Sequence, residues 1–380
     1  MNVVNTVPFN QIDPKVWNKF VDESPEAWLY HRTEWMEIEE VEGYQNESFM
    51  VLSDEGSPLG IFCVYLSSRG PWWRLWERYF HTGHCRGGPA MVGGLSAKHR
   101  EEVFISALDY LKKRAQIYRS DRLEVRLPSL APAYLPPMRG EINPLGEYGF
   151  RAFPMYGRSG VGRLRGNITP TTIVELHGND EETLFSALSP MCRKAVRKAT
   201  RAGVTCMEGN GSRDLELFYA LYESSYLRSA SERRPFTFFC RMSENLAEKG
   251  WMKVFLAHHE EKPIASILLL SYKDALTYYA GGVDYDAQLL RPHQLLFWET
   301  LRWARQNGWR WYEMGPYFPY LPKDNKMARI GFFKRQFGGR EFSLFEGVFF
   351  YNWPMYCWGA LLEETRLRIY ACLHRLRSAD

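Results

Sequence analysis

The sequence predicts a mixed α/β protein made of two tandem units of one plan, each a mixed twisted sheet flanked by helices, followed by an amphipathic helix. Three observations predict it. Short β-rich runs alternate with longer segments of helical periodicity along the chain. The order hairpin, Gly-Gly element, long helix, strand occurs once in each half, around Gly87-Gly88 and around Gly281-Gly282. The 380 residues, 45% hydrophobic and 15% aromatic, suffice for two ordinary cores and are too apolar for a disordered chain. The expected divisions are residues 1–150, residues 151–345 and a helical extension over 346–380.

The elements follow in order. Asp13-Pro14 opens a helix through Trp17 and Phe20, because an Asp cap accepts free backbone N–H groups and Pro fits the first turn; residues 33–41 form a second helix. Runs 48–53 and 59–67 flank the turn-forming Asp54-Glu55-Gly56-Ser57-Pro58, which predicts an antiparallel hairpin. Residues 69–76 interleave Arg and Trp, and packing on the other half of the chain is their main expected role. A helix over 97–115 leads into a strand at 122–127, and the aperiodic, Pro- and Gly-rich stretch 128–166 is the expected crossing between units.

In the second half a strand at 172–176 precedes helices over 189–204, 212–228 and 238–249. A hairpin of 252–258 and 264–272 turns at Glu260-Glu261-Lys262-Pro263, and a third strand covers 276–281. The helix over 292–307 has Pro292 at its start and Gly308 past its end, and a strand at 310–314 follows. Residues 315–322 form an aromatic, Pro-rich loop, followed closely by 330–339. From 355 to 376, Trp358, Leu361, Leu362, Ile369, Leu373 and Leu376 recur at helical spacing. Packing on the body or a subunit interface is the main expectation for that helix; contact with an anionic membrane is the sharper one.

The helix over 189–204 carries the densest charge. Ser189 suits its N-cap, Pro190 its first position and Gly203 its left-handed end. Arg193, Lys194, Arg197, Lys198 and Arg201 fall within an arc of about 140°, opposite Cys192, Ala195, Val196, Ala199 and Ala202. Five like-charged pairs three or four residues apart cost about 1–2 kcal/mol together. No Asp or Glu lies between Glu182 and Glu208 to offset them. The face is either solvated or paired with distant carboxylates, or it binds a phosphate-bearing partner; local sequence leaves both open.

Other patterns limit the chemistry. The net charge of +4 is mild and does not by itself imply nucleic acid. There is no P-loop, Gly-x-Ser-x-Gly elbow, dinucleotide fingerprint or His-Glu-x-x-His, which removes the main support for ATPase, serine hydrolase and zinc protease readings. His81, His84 and Cys85 lack an evident fourth ligand, so no metal is expected. Seven scattered cysteines without a Cys-x-x-Cys pair point to a reducing compartment. The first residues lack a basic segment followed by an apolar run, and no run reaches the roughly 18 apolar residues that span a bilayer. A cytoplasmic protein is expected.

Four acid–base candidates gather near the second Gly-Gly element: Asp284, Asp286, His293 and Glu313. Glu313 stands out because it ends a strand, where ligands of open α/β sheets lie. Its alternative is a plain ion pair with a neighbouring Arg. Lys334 lies between Phe332-Phe333 and Phe337, where an ammonium group can stabilise charge developing on a carbonyl, or can simply snorkel to the surface.

Three segments resemble the Fem family of peptidoglycan interpeptide-bridge ligases and the acyltransferases related to it. They are the Arg/Lys-Ala-rich helix ending in Gly203-Val204, the stretch 292–315 with Leu-Leu-Phe-Trp-Glu, Trp-Ala-x-x-x-Gly and Tyr-Glu-Met-Gly, and Phe333-Lys334-Arg335-Gln336-Phe337-Gly338. The resemblance covers roughly 13–339 and implies two tandem GNAT-like domains. It also implies an N-acyltransferase in which an amine of a cell-envelope or polysaccharide precursor attacks an activated acyl group. The donor would be acyl-CoA or aminoacyl-tRNA, used as a co-substrate with no permanently bound cofactor. The acceptor would be a small-molecule, lipid-linked or nucleotide-linked precursor.

On the same resemblance Phe333 and Lys334 lie near the reacting carbonyl, with Glu313 as the catalytic carboxylate. Arg193, Lys194, Arg197, Lys198 and Arg201, with His293, would meet substrate phosphate. Three departures stand out: Glu313 replaces the usual Asp, no long helical arm is evident between Leu227 and Trp251, and no CoA pyrophosphate loop is evident in the second half. A non-catalytic protein that binds nucleic acid or another anionic polymer through the basic helix is the alternative function.

Overall fold

The computed structural model describes residues 3–41, 43–68, 81–151, 169–228, 233–323 and 325–358. The Arg/Trp-rich stretch 69–76 and most of the expected C-terminal helix lie outside them; of that helix, 355–358 are described and helical.

The chain forms two compact units. The first consists of the described residues of Met1–Met36, Gly43–Ile168 and Phe345–Asp380, the second of Glu37–Glu42 and Thr169–Leu344. In chain order the first unit opens with β1 (Val3–Pro8), α1 (Pro14–Glu23) and the start of α2 (Thr33–Val41), which from Glu37 on belongs to the second unit. Strands β2 (Gln45–Asn46), β3 (Phe49–Ser53), β4 (Pro58–Phe62), β5 (Tyr65–Ser68), β6 (His81–Arg86) and β7 (Pro89–Met91) follow, then α3 (Ala97–Tyr118) and β8 (Ser120–Arg126).

The second unit runs through β9 (Pro170–Glu175), α4 (Glu181–Ala187), α5 (Pro190–Arg201), β10 (Thr205–Glu208), α6 (Ser212–Arg228) and α7 (Phe236–Leu246). It continues with β11 (Met252–His259), β12 (Lys262–Tyr272), β13 (Ala275–Val283), α8 (Pro292–Gln306), β14 (Trp311–Pro316), α9 (Lys326–Lys334) and β15 (Arg340–Ser343). The last strand, β16 (Glu346–Phe350), returns to the first unit.

That return corrects the helical extension expected over 346–380. Residues 346–350 pair antiparallel with β8, where Val348 is fully buried, and Arg151 bridges Val348 as well. An apolar pair of positions beside an open strand edge is better satisfied by a ladder than by an isolated helix.

The first unit holds two sheets, ordered β1-β3-β4-β7 and β16-β8-β6-β5-β2. The second holds one, ordered β10-β11-β12-β13-β14-β9-β15. In each unit one parallel pair is joined by a helical crossover: β6 to β8 through α3, and β13 to β14 through α8. Elsewhere the named strand pairs are antiparallel.

The core of the second unit lies between its sheet and helices α5 and α8. Cys192, Val196 and Ala199 pack with Leu296, Phe297 and Leu301. On the other face α6 crosses β13 at Gly282, where a Cβ would stand 2.1 Å from the Leu221 carbonyl oxygen. Only glycine allows that approach. No described helix is long and apolar enough to cross a membrane.

Candidate active site

The parallel strands β13 and β14 stay together for only three positions, Ala275↔Trp311, Leu276↔Tyr312 and Thr277↔Glu313. Beyond them β13 continues along β12 to Val283, with one extra residue, Tyr279, between Leu268↔Ala280 and Leu269↔Tyr278. Strand β14 instead follows β9, and Gly315 turns through φ +80° before Pro316↔Thr171. The two strands therefore part at Thr277 and Glu313, which leaves backbone groups beyond that point without a neighbouring strand across the gap.

Lys334, from the C-terminal end of α9, reaches this parting. Its Nζ donates to the Pro316 carbonyl at 2.9 Å and lies 5.6 Å from the Tyr278 ring centre. A Cβ built on Gly315 would meet that Nζ at 3.0 Å and the Tyr278 carbonyl oxygen at 3.6 Å, so glycine keeps room for the ammonium. Burial pushes the Lys334 pKa down to about 8, and the Glu313 carboxylate opposes that shift. At neutral pH the group is still mostly a cation, but a weakly solvated one, which strengthens its pull on nearby negative charge.

Glu313 is also buried, with Oε2 accepting from Thr277 Oγ1 at 2.8 Å. Its register partner across the closed end of the parting thus fixes its carboxylate. Thr277 and the influence of Lys334 surround the carboxylate.

Phe333 packs on Phe297, Phe337 and His293, at ring distances of 5.5, 5.2 and 6.2 Å. The Phe297 ring stands 4.9 Å from that of Tyr278, so an aromatic wall continues to Lys334. His293 Nε2 lies 2.9 Å from the Gly282 carbonyl, which can only accept, so that nitrogen carries the proton. Burial pushes the His293 pKa down to about 4. The imidazole is neutral near pH 7 and brings no positive charge to a phosphate. Asp284, the other carboxylate of this region with a clear partner, is held by Lys262 at 2.6 Å, which lowers its pKa.

Helix α5 forms as its caps dictate. Ser189 Oγ accepts the Cys192 N–H at 3.1 Å, and Gly203 has φ +79°. Its start is tied to the turn after α9 by Ser189 N–H to Gln336 O at 2.9 Å, two residues from Lys334. Arg193 turns back onto the carbonyl end of α4, donating to Ser186 O at 2.6 Å and to Leu188 O, which spends its fork on structure. Arg197 stacks over Phe185 at 5.4 Å. Lys194, Arg197, Lys198 and Arg201 are exposed, and none forms an ion pair with a described carboxylate. The distant carboxylates of the structural reading are not there among the described residues. Nor are three His, Cys, Asp or Glu side chains grouped there so as to hold a metal ion.

Residues 190–321 match the family model described as an acetyltransferase (GNAT) domain. That stretch makes up most of the second unit. The match spans the basic helix, the parting strands and Glu313, and it ends before Phe333 and Lys334. FemX superposes with a TM-score of 0.69 at 17% identity, over 93% of this chain and 98% of that one. The C-terminal domain of a putative lysylphosphatidylglycerol synthetase from Agrobacterium fabrum gives 0.55 at 13%, over 94% and 96%. A tandem GNAT protein from the clavulanic acid biosynthesis pathway gives 0.55 at 10%, over 92% and 99%. No curated protein sequence matches the chain. The fold is thus a tandem GNAT fold.

Sequence reasoning missed Thr277, Tyr278 and Gly315. The signal for Gly315 was present, since a glycine directly after a strand that ends in a candidate base marks a close approach. Thr277 carried none, because its importance depends on a register set by a parallel partner 36 residues away.

Proposed function

We propose that the chain transfers an acyl group from an acyl thioester such as acyl-CoA to an amine of a phosphate-bearing cell-envelope or polysaccharide precursor. The observation that carries this reading is the buried Lys334 ammonium in the parting of β13 and β14, with Glu313 at its closed end.

The donor carbonyl is placed beside Lys334, against the wall of Phe333, Phe297 and Tyr278. The acceptor nitrogen adds to the carbonyl carbon, forming a C–N bond while the carbonyl oxygen takes up negative charge. Lys334 meets that charge without reorganisation, because its position is already fixed by Pro316 O. Glu313, oriented by Thr277, takes the proton from the nitrogen. Collapse breaks the C–S bond, and the thiolate leaves and is protonated, so atoms and charge balance. Holding both reactants in the parting supplies the rest of the acceleration. The exposed cations of α5 draw the acceptor's phosphate. The FemX and lysylphosphatidylglycerol synthetase likenesses motivate the choice of an envelope precursor, and the free thiols of the described cysteines support a cytoplasmic site.

The test is a thermal-shift screen of acyl-CoAs, aminoacyl-tRNA mimics and UDP-linked sugars, followed by mass spectrometry of any product. Stabilisation by an acyl-CoA and an N-acylated product lost in Lys334→Ala are expected. Transfer from aminoacyl-tRNA alone would overturn the donor, and no covalent transfer from any donor would overturn the reading.

A further inference from the structure

The exposed face of α5 has a shape that a single phosphate does not need. Lys194, Arg197, Lys198 and Arg201 run along about 10 Å of helix, at a rise of about 1.5 Å per residue. They project to solvent, since the opposite side of α5, Cys192, Ala195, Val196 and Ala199, is buried. Apolar side chains accompany them. Met191 is 61% exposed and precedes Lys194 by three residues and Lys198 by seven, which places it on the border of the cationic face. Where Ser189 bonds to Gln336, the helical run that ends at Phe337 carries Phe332, 53% exposed, one turn before Gln336. Phe332 is also the neighbour of Phe333 and Lys334. Two exposed apolar side chains therefore flank the junction at which α5 leaves the candidate site, and four cations without carboxylate partners among the described residues follow.

We infer that this surface docks on an anionic lipid bilayer, with Met191 and Phe332 entering the interfacial zone and the four cations lying among the headgroups. Charge complementarity identifies the partner: the cationic face meets a negatively charged plane at several points at once, and the apolar pair gains by leaving water. A soluble polyphosphate or a nucleic acid would meet the cations and leave Met191 and Phe332 in solvent. Docking presents the parting of β13 and β14 to substrates held at the membrane surface. The inference rests on the assignment of α5 to anions made above, and it is independent of the transfer chemistry. Packing was the main expectation for the C-terminal helix and membrane contact its alternative; α5 and α9 offer a separate surface for such contact.

The experiment is co-sedimentation of the full chain with vesicles of phosphatidylcholine alone, or of phosphatidylcholine mixed with phosphatidylglycerol, at low and high salt. Binding to the anionic vesicles that weakens with salt is expected. Replacing Lys194, Arg197, Lys198 and Arg201 together by Gln should lower partitioning several hundredfold, at roughly fivefold per cation. Met191→Ser with Phe332→Ser should lower it severalfold, including at high salt, where the charge contribution is screened. Circular dichroism melts establish that the variants remain folded. No binding to anionic vesicles, equal binding to both vesicle types, or binding unchanged in the quadruple variant would overturn the proposal. So would capture of inorganic polyphosphate or single-stranded DNA with no vesicle binding. Product detection by mass spectrometry is unaffected by any of these results, so failure of docking and failure of the transferase reading are separable.

Discussion

Both units join a parallel pair of strands through a helix and carry a Gly-Gly pair, just after the first strand in one and inside it in the other, yet only one of them opens. In the first unit β6 and β8 pair from His81↔Ser120 to Arg86↔Arg126. Past that point Gly87 and Gly88, at φ +85° and +74°, turn the chain into β7. The space beside them is filled: a Cβ on Gly87 would meet the His31 ring at 2.8 Å, and one on Gly88 would meet Leu127 Cδ2 at 2.4 Å. His31 is fully buried, with Nε2 donating to Gly88 O at 3.0 Å and Nδ1 accepting from Trp28 N–H at 3.1 Å. In the second unit pairing stops after three positions, and a lysine ammonium stands in the gap. His293 makes the same bond to Gly282 O that His31 makes to Gly88 O, but from α8, at the side of the opening. The plan is shared, and the filling beside the glycines differs between the two units.

The largest effect that tests this difference is on turnover. Lys334→Met should lower kcat roughly 100- to 1,000-fold in steady-state assays, as loss of one preorganised charge partner does. His31→Gln, in the first unit, should lower the melting temperature and leave kcat within about twofold. If His31→Gln cut kcat as deeply while the protein stayed folded, the first unit would have to be part of the chemistry.

Next in size are the glycines. Gly282→Ala drives a methyl group into the α6 backbone at Leu221, which cannot swing aside, and should cost about 3 kcal/mol in denaturant unfolding. Gly88→Ala meets the tip of Leu127 most closely, with backbone atoms no nearer than 3.3 Å, though at a positive φ, and should cost about 1–2 kcal/mol. The reverse order would mean that α6 is not seated as tightly as its contact with β13 implies.

A smaller effect depends on pH. Because burial holds the Lys334 pKa near 8, its cation prevails below that pH and is lost above it. The rate should therefore fall as pH rises through about 8. Lys334→Arg keeps its charge, so any residual activity should lack that limb. A rate that rises through pH 8 would instead make neutral Lys334 the base. Smallest is Thr277→Val, with an expected loss of about tenfold in kcat and little change in KM, recovered by Thr277→Ser.

Much of the second unit was readable residue by residue. Ser189, Pro190 and Gly203 mark both ends of α5, and Pro292 and Gly308 mark those of α8, because caps and breakers act locally. Glu313 could be singled out because a strand end is a local event. The reading failed where local preference was overridden. Residues 326–334 form α9 with Asn325 as its cap, but Gly331 and the aromatic run disguise it; that glycine is there because a Cβ would press on Tyr317 at 3.0 Å. The Gly281-Gly282 pair was taken for a break after the strand and lies inside β13, since its purpose is closeness to α6 and Ser266. The residues between 151 and 169 that were read as part of the crossing lie outside those described, apart from Arg151 and Thr169. Arg193 belonged by pattern to the cationic face, and its hydrogen bonds to α4 could not be foreseen from helical angles.

The return of β16 bears on the order in which the protein comes into being. Arg126 Nε donates to Glu346 Oε1 at 2.5 Å across 220 residues of chain. On the ribosome, β16 emerges only after the whole stretch from Thr169 to Leu344. The strand edge of β8 therefore stays bare while the second unit is being made. The first unit to be synthesised is the last to be finished, and its exposed edge is the place where a nascent chain of this plan needs protection from aggregation.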